Sequence, residues 1–425
     1  MKKRALAILM AALTASTMFA VPTFAADYSG EDPQLEKNIK ILTIWAEDND
    51  NGMLLNKICE DYQKNVNPNF TWEYEMVASD NLQQKIATLA ASNDLPDLFA
   101  YEAGAPLSVL IDSGKVKNIT EAVDEIGTAD YLNSGAVELL KGLSGTDDLY
   151  DLPLGLNVEG FWYNKALFEQ AGCEVPTTWD ELKAACEALK AYDDSIYPWG
   201  IDMTTDEGQA AFAYYTWNNG GGFVDDEGNW TLNSEQNVEA IQYAIDLVNS
   251  GYTNTDPAND TRYDLQDMFG AGKVAMLIAP NSLPTYIATG GNEVNYGVAS
   301  IPSNTGESVS AGVMDRFMCF DNDYSDDEKA AISTFFDYFY DDARYTEWVD
   351  MEGFLPATKT GGEALAAANE DMASWIDILD SCKFYPTAKA EWADVKQGVI
   401  EVEQNALLGD DVQTLLDDLQ ADIAD

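Results

Sequence analysis

Apolar positions in the first third of the chain follow two alternating rhythms. Residues 39–45 (IKILTIW) form a short β-branched run that predicts a buried strand. Leu54, Leu55, Ile58 and Tyr62 then recur at helical spacing. Residues 70–77 return to strand character, 82–91 to helix, and 97–101 to a short strand. A βαβαβ opening of this kind implies a parallel sheet with helices on both faces. Ligands of such sheets bind beyond the carboxyl ends of the strands.

Farther along, Thr178 and Glu181 stand in the spacing of a capping box that opens a helix to about Ala191. Val238, Ile241, Ile245 and Val248 form a helical stripe behind Asn233 and Ser234. Ser325 and Glu328 form a second capping box, followed by the stripe Ile332, Phe335, Phe336 and Phe339. Residues 273–278 and 295–299 are strand-like, and the chain from about Gly361 onward reads as helical throughout. The stripes are core positions and receive no functional role. A chain of 425 residues exceeds one ordinary core and implies two domains. No low-complexity linker or repeat separates them, so the chain is expected to pass between lobes more than once.

The N-terminus changes the compartment. Met1, Lys2, Lys3 and Arg4 precede an apolar run to about Met18, and Thr23, Phe24 and Ala25 precede Ala26. That is the form of a Sec signal peptide cleaved after Ala25, with an exported protein as the product. The first cysteine is Cys59, far from that point, so no lipid anchor is expected through this leader. Loss of Lys2, Lys3 and Arg4 takes the formal charge from -51 to -54. So acidic a body repels phosphate backbones and anionic lipid, which excludes nucleic acid as a partner.

Candidate chemistry is limited as much by absences as by motifs. The chain has no histidine, which removes Ser-His-Asp and Cys-His nucleophiles and the usual zinc sites. The acidic run Glu47 to Gly52 is rich in oxygen ligands but fails EF-hand spacing, so no metal or other cofactor is expected. Cys59, Cys173, Cys186, Cys319 and Cys382 are an odd set without CxxC spacing and read as scattered, mostly buried thiols. A secreted glycosidase working through two carboxylates survives these filters, as does a receptor for a cationic solute such as a polyamine.

Three blocks carry a resemblance. They are LYDLP at 149–153, GFWYNKALFEQAG at 160–172 and PTTWDEL at 176–182. With FGAGKVAM at 269–276, GFLPA at 353–357 and WADV at 392–395 in order behind them, the chain resembles the extracellular solute-binding proteins that include the maltose-binding proteins. The resemblance covers nearly all of the mature chain. It implies a two-lobed α/β periplasmic-binding fold of type II, with three crossings near residues 156–159, 310–316 and 351–356. The lobes are expected as 26–156 with 311–351, and 157–310 with 352–425. It also implies a monomer with no catalytic residues, which carries a mono- or oligosaccharide to the permease of an ABC importer outside the cytoplasm.

A sugar offers flat C–H faces and a rim of hydroxyls, so its site needs aromatic platforms beside amide, carboxylate or guanidinium partners. Strand ends and crossings supply the substrate-binding candidates: Glu47, Asp48 and Asn49 after the first strand, then Tyr101 and Glu102. Asn157 stands at the first crossing, Asp202 ends a strand, and Trp217 and Asn218 precede the glycines at 220–222. Asn281 follows the strand at 276–280, Asp315 and Arg316 lie at the second crossing, and Trp392 opens a late helix. Where the maltose-binding proteins carry a tryptophan, this chain has Asn281 and Ser282, which argues against maltose itself.

Overall fold

The computed structural model describes residues 36–77, 79–92, 94–101, 111, 114–116, 118, 119, 132, 134–205, 207–225, 227–319, 325–361, 375, 378 and 381–424. The expected leader and Glu102 lie outside the described residues, as does the side chain of Tyr101.

Strand β1 (Lys37–Thr43) pairs in parallel with β2 (Phe70–Met76) along its whole length, and β3 (Leu98–Tyr101) joins its other edge in parallel. Helices α1 (Asp50–Asn65) and α2 (Ser79–Ser92) make the crossovers that the apolar rhythm predicts. The α1 stripe buries Leu54, Leu55, Ile58 and Tyr62, and the Tyr62 ring meets Phe70 edge-on at 4.8 Å. Full burial stabilises each such side chain by about 1.5–3 kcal/mol. Helix α3 (Ser134–Ser144) then leads to β4 (Asp151–Asn164).

Strand β4 is long because most of it is buried on both faces, and it serves two sets of partners. Beyond it come α4 (Lys165–Ala171), α5 (Trp179–Tyr192), β5 (Tyr197–Gly200), α6 (Gly208–Trp217), α7 (Glu235–Asn249) and α8 (Arg262–Gly270). Then follow β6 (Val274–Pro280), α9 (Leu283–Thr289), β7 (Tyr296–Ala299) and β8 (Ser310–Cys319). Residues 151–158 of β4 pair antiparallel with β8, which itself pairs antiparallel with β3. From Glu159 onward β4 pairs instead with β6, and from Phe161 with β7. Pro153 has no N–H to give the ladder, and the register slips between it and Gly155, where a β-carbon would meet the Phe354 ring at 2.9 Å.

The last third holds α10 (Asp326–Phe339), α11 (Asp342–Glu352), β9 (Cys382–Lys383), α12 (Trp392–Leu407) and α13 (Val412–Ala424). Both expected capping boxes form, at Thr178 with Glu181 and at Ser325 with Glu328. One expectation is corrected: the C-terminal part is not helical throughout. Residues 382 and 383 make a parallel strand beside Ser310 and Ala311, and turns fill 387–391. A two-residue strand has no periodicity for a sequence to show.

The result is a two-domain α/β fold. One buried cluster gathers Ile39, Ile41, Leu55, Phe70, Phe335 and Trp348 and continues through Trp162, Leu265 and Leu277; another gathers Phe161, Leu182, Cys186, Phe212, Ile241 and Val399. Cys59, Cys173 and Cys186 are free thiols, and the side chain of Cys319 lies outside the described residues. No helix among the described residues is long and apolar enough to cross a membrane.

Candidate functional site

A small cavity of about 40 Å³, open to solvent at its mouth, lies where β5 and the late residues of β6 meet α6 and the start of α8. Its position follows from the parallel pairing of β5 with β6, which leaves a crevice past the end of β5 for α6 and α8 to wall. Trp199, Ile201, Leu265 and Leu277 give it an apolar floor, and Asp202, Glu207, Tyr214 and Arg262 give it polar walls.

The polar groups are placed by local structure. Thr261 caps α8, accepting from the Asp264 N–H while Asp264 accepts in return from the Thr261 N–H at 2.9 Å. This sets Arg262 in the first turn, turned toward Glu207 just before α6. The pair is bidentate, with Nε–Oε2 at 2.7 Å and Nη2–Oε1 at 2.9 Å, so both groups are oriented in a plane. Asp202, past the end of β5, accepts from the Thr204 N–H at 2.8 Å through Oδ1, while its buried Oδ2 has no partner. Burial raises the Asp202 carboxyl above its ordinary range.

Glu159 stands behind this wall on β4. Its chain keeps some exposure, but Oε2 is out of contact with solvent and has no hydrogen-bond partner. Burial pushes the Glu159 carboxyl up to about 8, with Arg262 pulling it down and Glu207 pushing it up. Burial also raises Tyr214 and Tyr385 well above the ordinary phenol value. Near neutral pH the site therefore offers neutral donors at Glu159 and Tyr214 beside the Arg262 guanidinium and its partner Glu207.

Strand alternation joins this pocket to a second surface. Asn157 and Glu159 share one face of β4, and Val313 and Asp315 share one face of β8; all four are half-buried. Asn157 lies opposite Val313, and its Oδ1 has no partner. Of the sequence candidates, Asp202 lines the pocket, while Asn157 and Asp315 share the half-buried β4–β8 face on which Glu159 stands.

The remaining candidates are placed differently. Glu47 and Asp48 are exposed in the turn after β1, and Asn49 caps α1 by accepting from the Gly52 N–H at 2.8 Å. Tyr101 ends β3, its backbone opposite Arg316. Arg316 is sealed inside, its Nη1 2.9 Å from Asp151 Oδ2, with neither side chain reaching solvent. Asn218 straps α6 to the start of β8, donating to the Tyr214 and Val309 carbonyls and accepting from the Val309 N–H. Asn281 is bonded to backbone at Val158 and Gly353. Trp217 and Trp392, 5 % and 1 % exposed, pack with Phe223 and Tyr385 in a closed aromatic group.

Sequence reading missed Glu159, Glu207, Tyr214 and Arg262. Glu159 had a signal, being two residues beyond Asn157 on the same strand. Arg262 had two: it is one of 23 basic residues against 74 acidic ones, and it follows a threonine with an acid in capping position.

Comparison with known proteins agrees with this architecture. Residues 46–343 match the family model described as bacterial extracellular solute-binding protein. A Brucella abortus (strain 2308) protein described as a binding protein is 28% identical over 346 residues, covering 81% of this chain and 82% of its own. An ABC transporter solute-binding protein from Thermotoga lettingae, bound with α-D-tagatose, superposes with a TM-score of 0.76 at 18% identity, covering 91% of this chain and 99% of that one. A sugar transporter from Arthrobacter chlorophenolicus with bound laminaribiose gives 0.75 at 21%, again over 91% and 99%. With the family model spanning most of the chain and the fold agreeing along both lobes, this protein belongs to the bacterial extracellular solute-binding protein family.

Proposed function

We propose that the protein captures a mono- or oligosaccharide between its lobes and hands it, chemically unchanged, to the permease of an ABC importer. The observation that carries this reading is a pocket walled by Asp202, Glu207, Tyr214 and Arg262, with Glu159 behind it on the half-buried face it shares with Asn157 and Asp315. Sugar hydroxyls both donate and accept, and this wall mixes carboxylate acceptors with phenol and guanidinium donors above an apolar floor. The ligands named for the Thermotoga and Arthrobacter proteins are of this class.

In this reading the mature chain begins at Ala26, acts as a monomer outside the cytoplasm, and passes three times between lobes. The partner change of β4 after Val158 supports the first passage. The pairing of Ser310 and Ala311 with β9 supports the second. Reciprocal 2.8 Å bonds between Leu156 and Leu355 support the third. Ligand that contacts both lobes then selects a closed arrangement.

Native mass spectrometry of gently purified protein, followed by challenge with a mixed oligosaccharide set, tests the reading. A retained or captured sugar of intact mass is the expected result. Retention of a polyamine, or shortening of the oligosaccharides on incubation, would replace it with one of the other two functions.

A further inference from the structure

Asn281 has three bonds to backbone in two different segments, and the segments are those that lie between the lobes. Its N–H donates to the Val158 carbonyl at 2.9 Å, and its Oδ1 accepts from the Val158 N–H at 2.8 Å. Its Nδ2 donates to the Gly353 carbonyl at 2.6 Å. Val158 is the last β4 residue paired with β8, before the strand changes partner. Gly353 has φ +70, and a β-carbon there would meet Thr285 Oγ1 at 3.0 Å and Ser282 Cα at 3.4 Å. The chain at 353 is therefore pressed against the residue that follows Asn281. Two residues on, Leu355 exchanges its pair of bonds with Leu156.

We infer that Asn281 is a positioning residue: a clamp that fixes the first and third passages to each other and so sets the resting angle between the lobes. An asparagine suits the task because one amide both accepts and donates, and the side chain is short enough to hold two backbones together. At 9 % exposure those bonds face little competition from water. The role differs from sugar contact, since both the Oδ1 and the Nδ2 of the amide are engaged with backbone. The inference rests on the three-passage reading of the lobes but is independent of which ligand the protein takes.

A net hydrogen bond of this kind weights a conformational equilibrium by about fivefold. Asn281→Asp keeps an acceptor for the Val158 N–H but sets a carboxylate oxygen against the Gly353 carbonyl, so it should raise the minor interlobe arrangement by more than about fivefold. Asn281→Ala loses both side-chain bonds and should raise it about 25-fold. Genetically encoded spin-label residues at Lys64 on α1 and Lys183 on α5, both exposed, would report the interlobe distance without touching the native thiols. The experiment uses ligand-free protein, so failure to find a sugar leaves it intact. The expected result is one dominant distance in the parent and a second population in both variants, with cooperative melting retained. If Asn281→Ala does not fold, Asn281→Asp carries the test. An unchanged distance distribution in a folded variant overturns the inference, as does loss of folded structure in both variants.

Discussion

Replacing Glu159 by glutamine should abolish a stability loss that the parent suffers as pH rises. The folded-state carboxyl is pushed up to about 8, whereas an unfolded glutamate titrates near 4.5. Below that lower value both states are protonated and the group makes no difference to folding. As pH climbs the unfolded chain releases the proton while the folded chain keeps it, so stability falls by up to about 1.4 kcal/mol per pH unit. The fall ends near pH 8, where the folded form also ionises. From pH 5 to 9 the accumulated loss is about 4 kcal/mol, an upper figure because water entry and relaxation around an ionised carboxylate reduce it. Asp202 and Glu403 are also raised by burial, but both proteins carry them, so they cancel in the difference. Urea unfolding of parent and Glu159→Gln at pH 5, 7 and 9 and fixed ionic strength measures that difference. The variant should gain on the parent progressively from pH 5 to 9. Parallel stability curves would show that the carboxyl is solvated in the folded protein, and the account of the pocket's inner wall would fail with it.

Three further outcomes can be checked. Arg316→Met leaves Asp151 as an unpaired buried charge and should cost about 3–5 kcal/mol in urea unfolding, much of it recovered by adding Asp151→Leu. Trp217→Ala should cost about 3–5 kcal/mol of ligand-free stability, because the ring is packed among Phe223 and Tyr385; a stability change below 1 kcal/mol would return the ring to the ligand. Arg262→Met strips a bidentate donor from the pocket and should weaken capture of whichever sugar native mass spectrometry identifies by about 2–5 kcal/mol, with affinity unchanged if the pocket lies off the binding path.

The fold was legible in the sequence wherever a segment's own pattern decides its state. The βαβαβ opening and the capping boxes are local: a hydroxyl and an acid three residues apart cap a helix whatever the rest of the chain does. The site was legible only in part because its groups meet through tertiary structure. Glu207 and Arg262 are 55 residues apart, and nothing within either neighbourhood foretells a bidentate pair. Trp217 shows the converse limit. The glycines at 220–222 after its helix leave room that a sequence cannot assign to an occupant. The structure uses that room for the chain's own ring: a β-carbon on Gly222 would lie 2.8 Å from Trp217 Cδ1 and Nε1. A missing side chain permits close approach without saying whose atoms approach.

Arg262 and Arg316 show what separates a structural guanidinium from one that can serve a ligand. Both are matched to a carboxylate at hydrogen-bond distance in a chain with a large acidic excess. Arg316 and Asp151 are sealed between β4 and β8, where exchanging one partner for another would first require desolvating the newcomer inside the sheet. Arg262 and Glu207 keep about a quarter to a third of their side-chain surface in solvent at the pocket wall. There a hydroxyl can share the guanidinium or the carboxylate without breaking the pair, because each retains lone pairs or N–H groups directed elsewhere. The same pair also keeps both groups in one plane before ligand arrives, so less side-chain freedom is lost on binding. Exposure next to a cavity, and not charge alone, is what leaves Arg262 available to a ligand and keeps Arg316 in the frame.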